Sequence, residues 1–284
     1  MTGRRRGPVP GVYPIGSGEA ELLDDANRDG GWMLSVDGMP QSYVDLADPT
    51  YLDFEYMQLM AEVVDTLEPA RPGDAAIDAV HIGGGACTLA RYVAAKRPGS
   101  RQLVLEPDAG LLQLVRDQLA LKSVPRLKVR VTDGLSGIAA LPGASDDLVV
   151  LDAFVGAQIP PELVTVEFTE QAARVLRPGG VYLVNAPDGG RLAFARRMAA
   201  TVRAVFGHAL LLAEPGVLRG RRFGNLVIAA SQAPLDDATL TRRAAGGLTP
   251  ARCVDGPDLA RFHAGAKPFH HGDEIPLPQP PSPL

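Results

Sequence analysis

Residues 76–90 read Ala76-Ile77-Asp78-Ala79-Val80-His81-Ile82-Gly83-Gly84-Gly85-Ala86-Cys87-Thr88-Leu89-Ala90: an apolar run, three glycines and the start of a helical pattern. Three consecutive glycines remove every Cβ where the run ends, so the backbone turns tightly and a ligand can approach it closely. Further on, Glu106 closes a second apolar run, Leu103-Val104-Leu105. An acidic residue about 20 positions beyond such a turn, at the tip of the second strand, hydrogen-bonds a ribose hydroxyl in nucleotide-binding α/β units.

The dinucleotide fingerprint would need glycine at position 88, where Thr88 stands. That third glycine lets the helix pack closely with its N-terminus facing a pyrophosphate. A ligand with ribose and no phosphate therefore suits Gly83, Gly84, Gly85 and Glu106 better, which points to S-adenosylmethionine or a relative.

Outward from this stretch, strand and helix alternate. Apolar runs predict strands at 76–82, 101–106, 127–132, 146–151 and 180–185, and helical periodicity predicts helices at 88–96, 108–121, 162–176 and 191–206. Short connections between them imply a parallel sheet with helices on both faces. Arg177-Pro178-Gly179-Gly180 reads as a helix stop and turn. Two more strands, 209–213 and 225–230, are close enough to pair as a hairpin. The predicted class is α/β: a methyltransferase-like Rossmann fold whose mostly parallel sheet ends in an antiparallel hairpin.

Upstream, apolar runs at 19–23, 32–36 and 41–46 are separated by turn-rich residues 27–31 and by Asp37-Gly38, predicting a small N-terminal antiparallel β domain. Leu52, Tyr56, Leu59, Met60 and Val63 follow helical spacing within 51–67, and Pro69 and Pro72-Gly73 end that helix. Short helices are expected at 236–246 and 257–264. The domain reading is thus disorder over 1–10, a hairpin domain over 11–50, a nucleoside-binding catalytic domain over 51–264 and a disordered Pro-rich tail over 265–284. His270-His271 and Asp273 lie in that tail and are read as solvated side chains, so no metal is expected.

Composition narrows the function classes. An apolar share of 46% over 284 residues supports a sizeable core, and no run approaches the roughly 18 apolar residues of a membrane span. Arg4-Arg5-Arg6-Gly7 is followed by proline and glycine instead of an apolar signal core, so a cytoplasmic location without a membrane partner is expected. The net charge of −5 argues against a nucleic-acid partner and is compatible with a cationic substrate. Cys87 and Cys253 stand too far apart for a zinc motif or a disulfide framework.

In open α/β sheets ligands bind at the carboxyl ends of the strands. Gly83 to Gly85, Glu106, Asp133-Gly134 and Asp152 fall at the first four such ends. Asp133 is expected to accept from an adenine amino group, with Gly134 letting the base lie flat, and Asp108 to cap a helix. Asp152 ends Leu148-Val149-Val150-Leu151 and is the expected catalytic residue. A free alkylamine, with a pKa near 10.4, needs about 4–5 kcal/mol to become nucleophilic at neutral pH. Asp152 helps by orienting that amine or by receiving its proton.

The order Asp37-Gly38-Met39-Pro40-Gln41, Phe54-Glu55, Gly83-Gly84-Gly85, Glu106, Asp133-Gly134, Asp152 and 163–168 resembles the spermidine synthase (polyamine aminopropyltransferase) family, over roughly residues 20–264. That resemblance implies polyamine biosynthesis with decarboxylated S-adenosylmethionine as co-substrate, held by Gln41, Glu106 and Asp133, with Asp152 serving a small-molecule amine. It also implies a homo-oligomer. The chain departs from the family pattern at the acceptor end. Ala86-Cys87 replace Asp-Gly after the glycines, Asp53-Phe54-Glu55 replaces Tyr-His-Glu, Val155 replaces the second aspartate of Asp-x-x-Asp, and Val164 replaces an aromatic residue. Three readings stay open: aminopropyl transfer to an amine gripped by other acids, with Asp45, Asp48, Glu55 and Asp188 as candidates; methyl transfer from S-adenosylmethionine; and a noncatalytic nucleoside-binding protein.

Overall fold

The computed structural model describes residues 7–68, 75–156, 158–276 and 278. The disorder expected of residues 1–6 and 279–284, and the helix stop at Pro69 and Pro72-Gly73, lie outside the described residues.

Four strands open the chain: β1 (Gly11–Ile15), β2 (Gly18–Asp24), β3 (Gly31–Val36) and β4 (Met39–Asp45), paired in sequence order as an antiparallel sheet. The Asp37-Gly38 turn has φ 48° and 76° at its two residues, the left-handed pair that matches strand twist in a tight hairpin. β1 adds a strand to the three expected; its Pro14 is tolerated because β1 is an edge strand. Leu22, Trp32, Leu34 and Val44 from this sheet form one core with Ala90, Leu112 and Val115 of the following helices.

The helix α1 (Glu55–Thr66) leads into the alternating part: β5 (Asp78–Ile82), α2 (Thr88–Lys96), β6 (Arg101–Glu106), α3 (Ala109–Gln118), β7 (Leu127–Val131), α4 (Gly134–Ala139), β8 (Asp146–Leu151), α5 (Val166–Val175) and β9 (Leu176–Asp188). Then come α6 (Ala193–Val205), β10 (His208–Ala213), α7 (Pro215–Leu218), β11 (Gly224–Ser231), α8 (Asp237–Gly246), β12 (Arg252–Val254) and α9 (Gly256–Phe262). The eight-stranded sheet has the order β12-β10-β11-β9-β8-β5-β6-β7. β9, β8, β5, β6 and β7 are mutually parallel, and β11, β10 and β12 add on in antiparallel fashion. This is the predicted class, extended by β12. The expected stop at Arg177 to Gly180 instead belongs to β9, which enters through an irregular stretch with a register shift opposite Asp146 and Leu148 and with Gly179 at φ 82°.

Side-chain alternation sorts the sheet residues between two helical layers. Val80, Ile82, Val149, Leu151 and Val184 pack with α5 and α6, whereas Ala79, Leu148, Val150 and Leu183 pack with α1 and α2. The strand order reverses around β5, so the tips of β5 and β8 open a crevice at the switch point. No helix among the described residues is long and apolar enough to cross a membrane.

The tail expected to be disordered from residue 265 is docked at Phe269. That ring is fully buried, 5.6 Å from Phe194 and 3.9 Å beneath the Arg197 guanidinium. Its N–H donates to Thr201 Oγ1 at 2.8 Å and its carbonyl accepts from the Val166 N–H at 2.8 Å, so one residue ties α5 to α6. His270 meets Glu167 at 3.1 Å, and no group of three or more metal-capable side chains occurs among the described residues.

Candidate active site

A cavity of about 640 Å³ lies at the tips of β5, β6, β8 and β9, between α1 and the N-terminal sheet. The glycine turn forms its floor. Gly83 has φ 94°, and a Cβ there would stand 2.2 Å from the Asp152 carbonyl oxygen. Gly85 has φ 47°, and its Cβ would meet Ser42 Oγ at 2.4 Å. These glycines are therefore demanded by the protein's own packing as well as by any ligand. Cys87 caps α2 at φ 61° in the left-handed region, and burial pushes its thiol up to about 12, leaving it inert.

Glu106 is buried beside this turn. Its Oε2 accepts from the Gly84 N–H and its Oε1 from the Asp108 N–H, both at 2.9 Å. Burial raises its pKa, and those backbone donors oppose the rise. Asp108 caps α3 at the Leu111 N–H, as expected, and also accepts from the backbone of Gly16 and Ser17, binding the β1–β2 turn to the Glu106 side of the cavity. Gln41 reaches across the cavity from β4 and donates to the Gly156 carbonyl at 3.3 Å.

Asp152 faces the cavity from the end of β8. Asn185 Nδ2 donates to its Oδ1 at 2.9 Å and the Tyr56 hydroxyl to its Oδ2 at 3.3 Å. Burial pushes its carboxyl up to about 6, against the lowering effect of those two bonds. Because Nδ2 is the atom turned to the carboxylate, Asn185 Oδ1 points elsewhere; it is buried and has no partner among the described residues. Tyr56 and Asn185 were not singled out from sequence. Tyr56 carries the α1 core spacing, and the only signal for Asn185 was an amide inside the apolar run Val181-Tyr182-Leu183-Val184.

The cavity thus gathers Gln41, Gly83, Gly84, Gly85, Glu106 and Asp152. It leaves out Asp133 and Gly134. The Asp133 carboxylate is exposed and caps α4 at the Ser136 N–H, 2.7 Å away, and Gly134 is buried where a Cβ would meet Ile82 Cγ2 at 2.5 Å. At this strand end the aspartate caps α4 and the glycine permits close packing on Ile82. Of the other acids considered, Asp45 pairs with Arg28, Asp48 with Arg28 and Thr50, and Asp188 accepts from the Gly189 and Ala195 N–H groups. Only Glu55 lines the cavity, and it pairs with Arg222 at 3.0 Å.

Among the described residues, six carboxylates line the cavity: Asp37, Asp53, Glu55, Glu106, Asp108 and Asp152. Among the described residues Arg222 is the single guanidinium or ammonium lining it, and it is held by Glu55 and Glu214. His81, whose pKa burial lowers to about 4, is neutral at pH 7.

No protein-family profile matches the chain. A solved structure of a probable spermidine synthase from Corynebacterium glutamicum ATCC 13032 is 35% identical and superposes with a TM-score of 0.87, covering 96% of this chain and 100% of that one. Spermidine synthase from Thermotoga maritima shares the fold at 16% identity and a TM-score of 0.60, over 89% of this chain and 84% of that one. Human methyltransferase-like protein 13, solved in complex with SAH, shares it at 20% and 0.50, over 76% and 93%. With the whole length of a relative covered at that first level of identity, the chain belongs to the spermidine synthase family.

Proposed function

We propose that the protein transfers the aminopropyl group of decarboxylated S-adenosylmethionine to a small-molecule amine. The observation that carries this reading is the charge of the cavity, six carboxylates against one arginine that already has two acidic partners. Such a lining favours cationic reactants and disfavours the methionine carboxylate of S-adenosylmethionine.

The residues present fit the nucleoside part of the co-substrate. Gly84 and Gly85 leave the floor bare, Glu106 offers carboxylate lone pairs beside it, and Gln41 closes the opposite side. When bound, the sulfonium supplies an electrophilic methylene carbon. Asp152 attracts the protonated amine, and its carboxyl, poised near 6, is basic enough to take up a proton transiently as the nitrogen reacts. Asn185, through its Nδ2–H to Asp152 Oδ1, fixes the carboxylate that meets the amine. The nitrogen lone pair forms the new C–N bond as the C–S bond breaks; its electrons go to sulfur, methylthioadenosine leaves neutral, and the proton passes through Asp152 to solvent.

The test is mass spectrometry of the nucleoside product after incubation with an amine mixture and either decarboxylated S-adenosylmethionine or S-adenosylmethionine. Methylthioadenosine from the decarboxylated compound is expected. S-adenosylhomocysteine would instead make the protein a methyltransferase, and neither product, with nucleoside binding retained, would leave a binding protein.

A further inference from the structure

Within the aminopropyl-transfer reading, we propose that His81 is a specificity-determining residue whose Nδ1 accepts a hydrogen bond from the terminal ammonium of the co-substrate's aminopropyl group. His81 lies on β5 opposite Val150 of β8, and Asp152 follows Val150 by two residues. Side-chain alternation therefore puts His81 and Asp152 on one face of the sheet. Adjacent strands stand about 4.8 Å apart and two residues rise about 6.6 Å, which sets the two Cα atoms about 8 Å apart. His81 is the deeper of the two, below the strand tips, and its buried ring lines the cavity.

The amide of Gln102 fixes which ring nitrogen of His81 carries the proton. Gln102 Nε2 donates to the Ala90 carbonyl at 2.8 Å, so its Oε1 is the atom that faces His81 Nε2, 2.9 Å away. An amide oxygen only accepts; Nε2 therefore bears the hydrogen and Nδ1 keeps its lone pair. Among the described residues nothing donates to Nδ1. The buried side-chain atoms sealed off without a partner are the Tyr182 hydroxyl and Asn185 Oδ1. His81 Nδ1 is not one of them, so its unpaired lone pair is reached from the cavity that the ring lines. Burial lowers the imidazole pKa to about 4, and no proton occupies that lone pair at neutral pH.

The surroundings decide what this acceptor takes. Met57, Leu89 and Val150 border the cavity and belong to the apolar core between the sheet and α1 and α2. The Thr88 hydroxyl is already bonded to the Tyr43 carbonyl at 2.9 Å, and the Cys87 thiol stays uncharged. A donor entering here meets His81, whereas a carboxylate would set acceptor against acceptor. In the proposed reaction the methylene carbon lies between the sulfur above the glycine floor and the amine at Asp152. The ammonium of the aminopropyl group is three bonds beyond that carbon, about 4 Å at about 1.2 Å per bond, and a hydrogen bond adds about 2.9 Å. That reach of about 7 Å is the scale of the step from Asp152 to His81. The Asp152 and Glu106 carboxylates supply the negative potential that a desolvated ammonium requires.

The experiment compares, by calorimetry, decarboxylated S-adenosylmethionine with methylthioadenosine, which carries a methyl group in place of the aminopropyl chain. Wild-type protein should bind the first at least about tenfold more tightly. His81→Leu should weaken it about tenfold while leaving methylthioadenosine within about twofold. His81→Asn, whose amide oxygen replaces the Nδ1 lone pair, should restore part of the difference. Nitrogen NMR of isotope-labelled wild-type protein, with His81 assigned among the five histidines from the Asn variant, reads the lone pair directly. Its Nδ1 signal should move with decarboxylated S-adenosylmethionine and stay in place with methylthioadenosine. Equal affinity of wild-type protein for the two ligands, an affinity ratio unchanged in His81→Leu, or an Nδ1 signal that treats both ligands alike overturns the proposal. The wild-type measurements decide by themselves if a variant does not fold. Absence of methylthioadenosine production with every amine, while the affinity difference and the Nδ1 response persist, overturns the transfer reading instead.

Discussion

Asp152 and Asn185 share a 2.9 Å hydrogen bond between adjacent parallel strands, and the amide's other heavy atom, Oδ1, is buried and unbonded among the described residues. Nature's folded chains rarely leave such an acceptor without a partner.

Asp152→Asn should lower kcat at least about 100-fold, because the group that holds and relays the proton is gone. The same substitution should stabilise the protein at pH 7.5. The Asp152 carboxyl titrates near 6 in the folded chain against 3.8 for the free side chain, so folding is favoured by its protonation below that window and opposed by its charge above it. Removing the charge is worth up to about 3 kcal/mol at pH 7.5, and the gain should vanish near pH 4. Thermal melts of both proteins across pH measure this; an unchanged or lower Tm at pH 7.5 would contradict the burial argument.

The acidic limb of kcat/KM should fall near pH 6 as Asp152 takes up a proton. Both hydrogen bonds to this carboxylate lower its pKa, the one from Asn185 more than the one from Tyr56. Asn185→Ala should therefore move the limb to higher pH, and Tyr56→Phe should move it the same way by less. A limb that stays in place in both variants would assign it to another group.

Glu106→Gln should weaken methylthioadenosine binding by about tenfold to a hundredfold, the range for losing a charge-assisted hydrogen bond. It also replaces one of the acceptors that now serve the Gly84 and Asp108 N–H groups. Isothermal calorimetry gives the affinity, and faster amide exchange at Gly84 would report the loosened turn.

Gly83→Ala should cost at least about 2 kcal/mol, since its backbone lies at φ 94° and its Cβ would collide with the Asp152 carbonyl. Gly84→Ala should cost less: its Cβ would stand 3.1 Å from Glu106 Oε2 and its backbone has no positive φ. Chemical denaturation of the two variants orders them, and equal losses would mean that the turn yields as a whole.

Phe269→Ala should destabilise by about 3–5 kcal/mol, the cost of emptying a buried aromatic site. The affected seam runs between α5 and α6, so exchange protection should fall there first.

How far this was legible in the sequence follows from what each residue needed to reveal itself. Gly83 to Gly85, Glu106 and Asp152 stand at the ends of apolar runs, and strand ends are visible as such. Asp133 bears the same signature, yet its strand lies at the sheet edge and one oxygen of its exposed carboxylate caps α4, a short helix that the apolar pattern did not mark. Tyr56 and Asn185 become neighbours of Asp152 only through the position of α1 and the pairing of β8 with β9, which no local pattern contains. Phe269 is a lone aromatic between Lys267-Pro268 and two histidines, so nothing periodic betrayed its burial.

The close approach of Gly83 to the Asp152 backbone joins the glycine floor of the cavity to the residue to which we assign the amine. Phe54, Val155 and Phe223 belong to other parts of the chain. In the proposed reaction, changes in that wall can alter which amine is admitted without moving the β5–β8 junction that carries Asp152. Under that reading, the choice of acceptor can drift while the reacting end of the site stays fixed.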